Sequence, residues 1–519
     1  MRRMRLWGRP LALAAAALAV LTACTSMDEE SEFDDGASYQ PGTLRVLASS
    51  ELADMAPILE KVRAKTGITV RPTYVGTLDA VDILARDTAN GRYDAVWLAS
   101  NDYLRLRPAA ADQVLSETPI MSSPVAIGVR EPVARAHGWK PDDVTWSDIE
   151  RAVREDGLTY GMTDPSASNS GFATLVSVAS ALSGAQSALT DADVEKATPR
   201  LKEFFKGQKL TSGSSGWLAA AYRERPNVDA LLNYESVLRG VAGMTVIRPS
   251  DGVVTADYPL SSLKSAPATA REDLRRLSQA LRTPEIQREI TTRTHRRPVV
   301  STVEPAPGLD SGRRRELPFP GSRSVADGLI DSYDNELRRP SRTVYVLDTS
   351  GSMEGDRLEG LKDALVDLTE DFREREEVTL MPFGSTVKDV RTHIVTPQNP
   401  RRGLDGIRRD AESLTADGET AIYTSLQEAY EHLAADEDTF TSIVLMTDGA
   451  NTTGATAEDF ESFHRVLDPR QREIPVFPIY FGDSDRSELE RIADLTGGRL
   501  FDAEQGSLDG AFEEIRGYQ

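Results

Sequence analysis

Cysteine is almost missing: the 519 residues contain one, Cys24. An intramolecular disulfide is therefore impossible, and so is a cysteine-rich zinc site. Histidine is also scarce. The five present (His137, His295, His393, His432 and His464) are scattered, with no HExxH pattern and no close pair, so nothing supports a histidine-built metal site. Positive charge is in deficit, with 60 Lys and Arg against 82 Asp and Glu, a net charge of −22. A chain of that sign is repelled by phosphate backbones, which argues against a nucleic-acid partner. Long apolar runs are lacking as well. Hydrophobic residues make up 39% and charged residues 27%, ordinary globular values that exclude a polytopic membrane protein, a collagen-like chain and a wholly disordered one. No GxSxG with spaced Asp and His and no phosphate-cradling loop occurs, so an enzyme is not expected.

The length suggests three or four folding units, preceded by an address. Arg2, Arg3, Arg5 and Arg9 form a basic start, and Leu11 to Leu21 form an Ala/Leu-rich core. Eleven helical residues cover about 16 Å, half of a bilayer core, so the segment reads as a signal peptide and not as a spanning helix. It ends in Leu21-Thr22-Ala23-Cys24, which resembles the lipobox of bacterial lipoproteins. The resemblance implies cleavage before Cys24 and lipid on its sulfur and new amino group, an anchor to the extracytoplasmic face of the cell membrane. Export by the Sec or the twin-arginine route stays open. Residues 24–42 follow as a tether, acidic through Asp28, Glu29, Glu30, Glu32, Asp34 and Asp35.

From Thr43 onward, β and α patterns alternate, the signature of parallel α/β sheets. Strands are expected at Leu44–Ala48, Ile68–Val75, Asp94–Ala99, from Ser122 to Val129, at Leu158–Met162 and at Met244–Arg248. Helices are expected at Leu52–Lys65, Leu78–Asn90, Gly171–Leu182, Asp193–Lys206 and Asp229–Arg239. Residues 299–341 form a Pro-, Gly- and Arg-rich connector with one helix, Val325–Leu337. A second series fills residues 342–519. Its strands are expected at Thr343–Leu347, Val378–Phe383, Ser442–Met446, Pro475–Phe481 and Arg499–Asp502, and its last helix at Leu508–Ile515. The ligand site of such a doubly wound sheet lies at the carboxyl ends of its strands.

There the strand from Thr343 runs into Asp348-Thr349-Ser350-Gly351-Ser352. Asp-x-Ser-x-Ser alone arises by chance in about one chain in ten of this length. Thr420, in a Gly-containing loop before a helix, and Asp448-Gly449, closing the strand Ser442–Met446, sharpen it. All three loops fall at one sheet edge, where five oxygens can meet. Three hydroxyls and two carboxylates are hard ligands suited to Mg²⁺ or Mn²⁺, with waters completing an octahedron.

This stretch resembles the von Willebrand factor A family. The matching residues are Asp348, Ser350, Ser352, Thr420 and Asp448, together with the C-terminal run Leu489-Glu490-Arg491-Ile492-Ala493-Asp494-Leu495-Thr496-Gly497-Gly498. The resemblance implies a metal-ion-dependent adhesion site. The three hydroxyls would bind the ion, Asp348 and Asp448 would bind it directly or through water, and a partner protein's acidic side chain would complete the shell. Glu419 departs from the family, which often has Gly there.

Residues 43–298 resemble bacterial extracellular solute-binding proteins. The likeness rests on Ser49-Ser50-Glu51, Ser122-Ser123-Pro124, Asp164 through Gly171, Asn233-Tyr234-Glu235-Ser236 and Ile247 through Gly252. It implies two lobes with ligand between them. The chain is expected to cross near Ser122–Val125 and to return near Val241–Thr245. Ser49, Ser50, Ser168, Asn169 and Ser170 sit where strands lead into helices, whose free N–H groups favour an oxyanion. With no basic residue in either loop, a polar neutral solute fits equally. Ser123 and Glu235 complete the candidate set.

The expected molecule is thus α/β throughout, a two-lobed binding-protein-like domain followed by a Rossmann-like von Willebrand A domain. The expected function is cation-dependent protein binding at the cell surface. The alternative is the receptor of an ABC-type transporter with the A domain as a docking accessory.

Overall fold

The first strand of the computed structural model, Thr43–Ser49, is buried on both faces and parallel to both of its neighbours, Thr69–Val75 and Ala95–Trp97. The structure describes residues 42–519 except 87, 88, 90, 142, 225–227, 310, 311, 313, 314, 370–374, 397, 434–438, 483, 504–514 and 516–519. The expected signal peptide, Cys24 and nearly all of the tether and of the last helix lie outside the described residues.

The first lobe carries a five-stranded sheet in the order Thr69–Val75, Thr43–Ser49, Ala95–Trp97, Pro259–Leu263, Val114–Pro119, the last two running antiparallel to their neighbours. The second lobe is built on Met121–Arg130. Ten residues of strand reach about 33 Å, enough to serve both lobes. Its start pairs with Arg297–Pro298 and Thr255–Ala256, and its end with Ala230–Tyr234 and Met244–Ile247. Tyr160–Thr163 and Gln208–Ser212 extend this sheet.

The return crossing lies later than expected. Met244–Ile247 belongs wholly to the second lobe, and the chain goes back through Thr255–Ala256 into Pro259–Leu263. The helix expected at Asp229–Arg239 is also corrected. Ala230–Tyr234 is a fully buried central strand, and only Glu235–Leu238 is helical. A short apolar run does not reveal its period, and the centre of a sheet took this one.

Helix ends follow local chemistry. Thr145 with Asp148 and Thr190 with Asp193 form capping boxes before Trp146–Asp156 and Asp191–Phe205. The connector helix, Arg323–Ser332 continued by a π turn at Tyr333–Leu337, packs on the second lobe, where Tyr333 meets Phe205 at 5.2 Å between ring centroids.

The third sheet runs in the order Arg391–Val395, Glu376–Phe383, Ser341–Asp348, Phe440–Thr447, Val476–Tyr480, Phe501–Asp502, parallel except for the first. Tyr345 and Leu347 face one apolar core, while Val344 and Val346 face the other. Such two-sided burial explains the unbroken apolar strand. Arg391–Val395 escaped the sequence reading because its edge position leaves most of it exposed and polar. The Gly497-Gly498 pair has a physical reason. Gly497 ends its helix at φ +79°, and a Cβ on Gly498 would fall 1.7 Å from the Val476 carbonyl oxygen.

Candidate functional site

Two places gather the candidate residues. The first is the carboxyl edge of the third sheet. Asp348 ends one strand, and Thr447 ends the parallel neighbour just before Asp448. Both aspartates are fully buried. Asp348 accepts the Ser350 N–H at 2.8 Å and the Thr447 hydroxyl at 2.6 Å. Ser350 and Ser352 share a hydrogen bond of 3.0 Å, and Ser352 donates to Asp448 at 2.8 Å. The loop carrying Thr420 is fastened to the Asp348 loop by Gly351 N–H to Gly418 O and Asp417 N–H to Thr349 O, each 2.9 Å. Thr420 N–H donates to Thr452 Oγ1 at 2.9 Å, which ties in the third loop.

Gly449 lies among them. An ideal Cβ there would stand 3.9 Å from Ser352 Oγ and 4.0 Å from Thr420 Oγ1, so a bare backbone leaves open the space between these hydroxyls. Burial pushes the Asp348 carboxyl above its usual range, and the like charge of Asp448 adds to this, against the hydrogen bonds from Thr447 and Ser350. Among the described residues no cluster of three or more His, Cys, Asp or Glu is placed to hold a metal. An ion at this edge would therefore depend on the hydroxyls. The donor set, three hydroxyls and two carboxylates around a space kept open by glycine, fits a hard divalent cation.

One functional neighbour was missed in the sequence. Arg357, on the first turn of Asp356–Leu368, donates to Asp448 Oδ2 at 2.5 Å. Only the fold brings this helix start beside the end of Phe440–Thr447, so spacing gave no signal.

The second place is the cleft between the lobes. The lobes touch across it: a Cβ on Gly76 would come within 2.5 Å of Ala167 O. Ser49 Oγ shares a 2.7 Å hydrogen bond with Thr77 Oγ1 and accepts the Ala99 N–H at 3.0 Å. Ser50 is half-buried at the start of the short helix Ser50–Met55. Ser170 is hydrogen-bonded to Thr163, Ser215 and Ser168, and Asn169 Nδ2 donates to Tyr234 Oη at 2.7 Å. Ser123 pairs with Ser236 through both side chain and backbone. Glu235 is 1% exposed and held by Arg297 at 2.7 Å and Arg239 at 3.4 Å, with Arg248 at 3.7 Å. The bonds of Ser49 stay within the first lobe, and those of Ser123, Ser168, Asn169 and Ser170 stay within the second.

A cluster not read from the sequence lies beside them. The Arg296 side chain is 1% exposed, donates to both oxygens of Asp54 and to Glu51 O, and lies 4.8 Å over the Tyr258 ring. Tyr258 itself has φ +45° at the return crossing. Burial pushes the Glu51 and Asp54 carboxyls up, and the Arg296 charge opposes it. A separate groove of about 520 Å³ lies between Val114–Pro119 and Ala268–Leu281, lined in part by Arg271, Arg275 and Arg282, and none of the seven cleft candidates borders it.

Residues 44–293 match the family described as bacterial extracellular solute-binding protein, and residues 343–451 match the von Willebrand factor type A domain. The chain therefore has a solute-binding-type domain of periplasmic-binding-protein-like fold followed by a von Willebrand A-type domain. Among curated relatives, the uncharacterised protein sll0103 of Synechocystis is 34% identical over 169 residues, 32% of this chain and 38% of that protein. Human inter-alpha-trypsin inhibitor heavy chain H3 is 27% identical over 192 residues, 34% of this chain and 21% of that one. The chain thus spans well under half of either relative. Among solved structures, the fructose-6-phosphate-bound periplasmic binding protein AfuA of Actinobacillus pleuropneumoniae is 13% identical, with a TM-score of 0.46 over 57% of this chain and 99% of that one. A von Willebrand factor type A protein of Catenulispora acidiphila is 18% identical, with a TM-score of 0.30 over 35% and 42%. No described helix is long and apolar enough to cross a membrane.

Proposed function

We propose that this protein is a cell-surface lipoprotein that binds a partner protein through a divalent cation, Mg²⁺ or Mn²⁺, held by Asp348, Ser350, Ser352, Thr420 and Asp448. The observation that supports this most is the gathering of Ser350, Ser352 and Asp448 in one hydrogen-bonded chain beside Asp348. Two carboxylates give the set a formal charge of about −2, which neutralises a divalent ion without satisfying it further. The ion then stays electrophilic toward one more anionic oxygen, the Asp or Glu of a partner. The protein performs no chemistry on that partner. Pull-down from surface extracts in Mg²⁺ against EDTA tests the reading: capture that EDTA does not reduce would refute it.

The anchor in this reading is acyl-Cys24. Labelled fatty acid should enter the wild type and not Cys24→Ala. In the cleft, the loops at Ser49-Ser50 and Ser168-Asn169-Ser170, with Ser123 and Glu235 near the crossings, would take a small polar or oxyanion solute. The length of the solute-binding match, residues 44–293, favours a second reading, the receptor of an ABC-type transporter with the A domain as a docking accessory. Co-purification from solubilised membranes separates the two, since a transport receptor should bring down a permease and its ATPase and an adhesion protein should not.

A further inference from the structure

The carboxylate of Asp448 is fully buried and already has two partners. Oδ1 accepts the Ser352 hydroxyl at 2.8 Å, and Oδ2 accepts Arg357 Nη1 at 2.5 Å. The pair is lopsided in exposure: the Asp448 side chain is at 0% and that of Arg357 at 37%. Gly482, at φ +64°, makes room for it. A Cβ there would lie 3.1 Å from Asp448 Cβ and 3.4 Å from Arg357 Cζ, tighter than most real contacts. Arg357 stands one residue into its helix, after Gly355 at φ +92°.

We propose that Arg357 is a built-in counter-ion that competes with the divalent cation for Asp448, so that the affinity of the site for the ion is set by how readily this guanidinium withdraws. The inference rests on the metal-binding reading above and deepens it by naming what regulates the site. The Asp448 side chain is buried away from bulk solvent, and a buried carboxylate left without a partner is costly. Without an ion, Arg357 supplies the compensating charge. A divalent ion beside Asp448 takes over that duty and repels a guanidinium at contact distance. The exposed side of the arginine lets it swing outward on its long stem, where water solvates it. Until it withdraws, its charge cuts the formal charge of the site from −2 to −1, so an arriving ion meets a weaker attraction than the five oxygen ligands alone would provide. A lysine would keep the charge, whereas glutamine would keep a hydrogen-bond donor and lose the charge.

The test is titration calorimetry of Mg²⁺ into the full chain and its Arg357→Gln and Arg357→Lys variants, with thermal unfolding recorded for each. The expected result is binding about tenfold tighter in Arg357→Gln and close to wild type in Arg357→Lys. Binding detectable only in Arg357→Gln supports the proposal as well. Equal or weaker binding by Arg357→Gln, with the wild type binding, overturns this proposal alone and makes Arg357 a support for Asp448. If Arg357→Gln does not fold, Arg357→Met is titrated in its place: tighter Mg²⁺ binding than in the wild type supports the proposal, and equal or weaker binding overturns it. No Mg²⁺ binding by any chain overturns the metal reading and this proposal with it.

Discussion

Thr447 donates its hydroxyl to Asp348 Oδ2 at 2.6 Å, joining the ends of two parallel strands inside the buried edge of the third sheet. The bond fixes the direction of one carboxylate, and the next residue in the chain, Asp448, supplies the other. Thr447→Val keeps the shape and removes the donor, which leaves a buried carboxylate short of a hydrogen bond. The expected cost is about 1–2 kcal/mol of stability. Mg²⁺ affinity should fall less than in Asp348→Asn, because the ligand itself remains. Chemical denaturation together with Mg²⁺ titration of the variant checks both.

The Arg296–Asp54 pair is asymmetric, and its mutants should be too. The Arg296 side chain is 1% exposed and that of Asp54 44%. Asp54→Asn strands a guanidinium out of water, at an expected cost of about 3 kcal/mol. Arg296→Met leaves a carboxylate that water reaches, so about 1 kcal/mol is expected once the lost stacking on Tyr258 is included. Urea midpoints at equal m-value give the comparison, and equal losses would show that burial is not what sets the cost.

Gly76 meets Ala167 where the two lobes touch, with no room for a side chain. Gly76→Val should push the lobes apart without unfolding either. Small-angle scattering should show a larger radius of gyration and hydrogen exchange should rise at the Asn169 and Ser170 amides. An unchanged scattering curve would mean that the loops yield locally.

Asp257 gives a pH signature. Burial first, then the nearby charge of Asp102, push its carboxyl up to about 6, against the pull of Arg105. The folded state therefore holds this proton more tightly than the unfolded chain does. Its contribution is fully present below about pH 4 and is lost as pH rises through about 6. Asp257→Asn should stabilise the protein by roughly 1 kcal/mol at pH 8, discounted for partial exposure, and by nearly nothing at pH 4. Thermal melts at both pH values check the sign.

Much of the fold was legible because its signals are local. The apolar run into Asp348 and the alternation that gives Thr43–Ser49, Ala56–Thr66 and Thr69–Val75 each act within a few residues, whereas the helix Trp146–Asp156, though its capping box is equally local, was not expected. The errors came where distant parts decide. Ala230–Tyr234 is a strand because Met121–Arg130 and Tyr160–Thr163 pair with it. The return crossing was displaced because Met244–Ile247 continues the second sheet before the chain goes back. For the metal-site candidates, residue types and order were visible, and the structure adds how the loops are fastened. Arg357 and Arg296 were not legible, since a basic residue in a sequence carries no sign of the carboxylate it will meet.

The central claim is that the edge holding Asp348 and Asp448 binds a divalent ion. Titration calorimetry of Mg²⁺ into the full chain, wild type against Asp348→Ala, tests it most directly, with Asp448→Ala, Ser350→Ala and Thr420→Ala alongside. Each aspartate supplies half of the negative charge of the set, so its loss should abolish binding at millimolar Mg²⁺. Each hydroxyl is neutral and replaceable by water, so its loss should weaken binding by about tenfold or less. All four variants should stay folded, because the apolar strands on both faces of the sheet form its core. Equal Mg²⁺ affinity in the wild type and Asp348→Ala, or no binding by either the wild type or Arg357→Gln, would contradict the account.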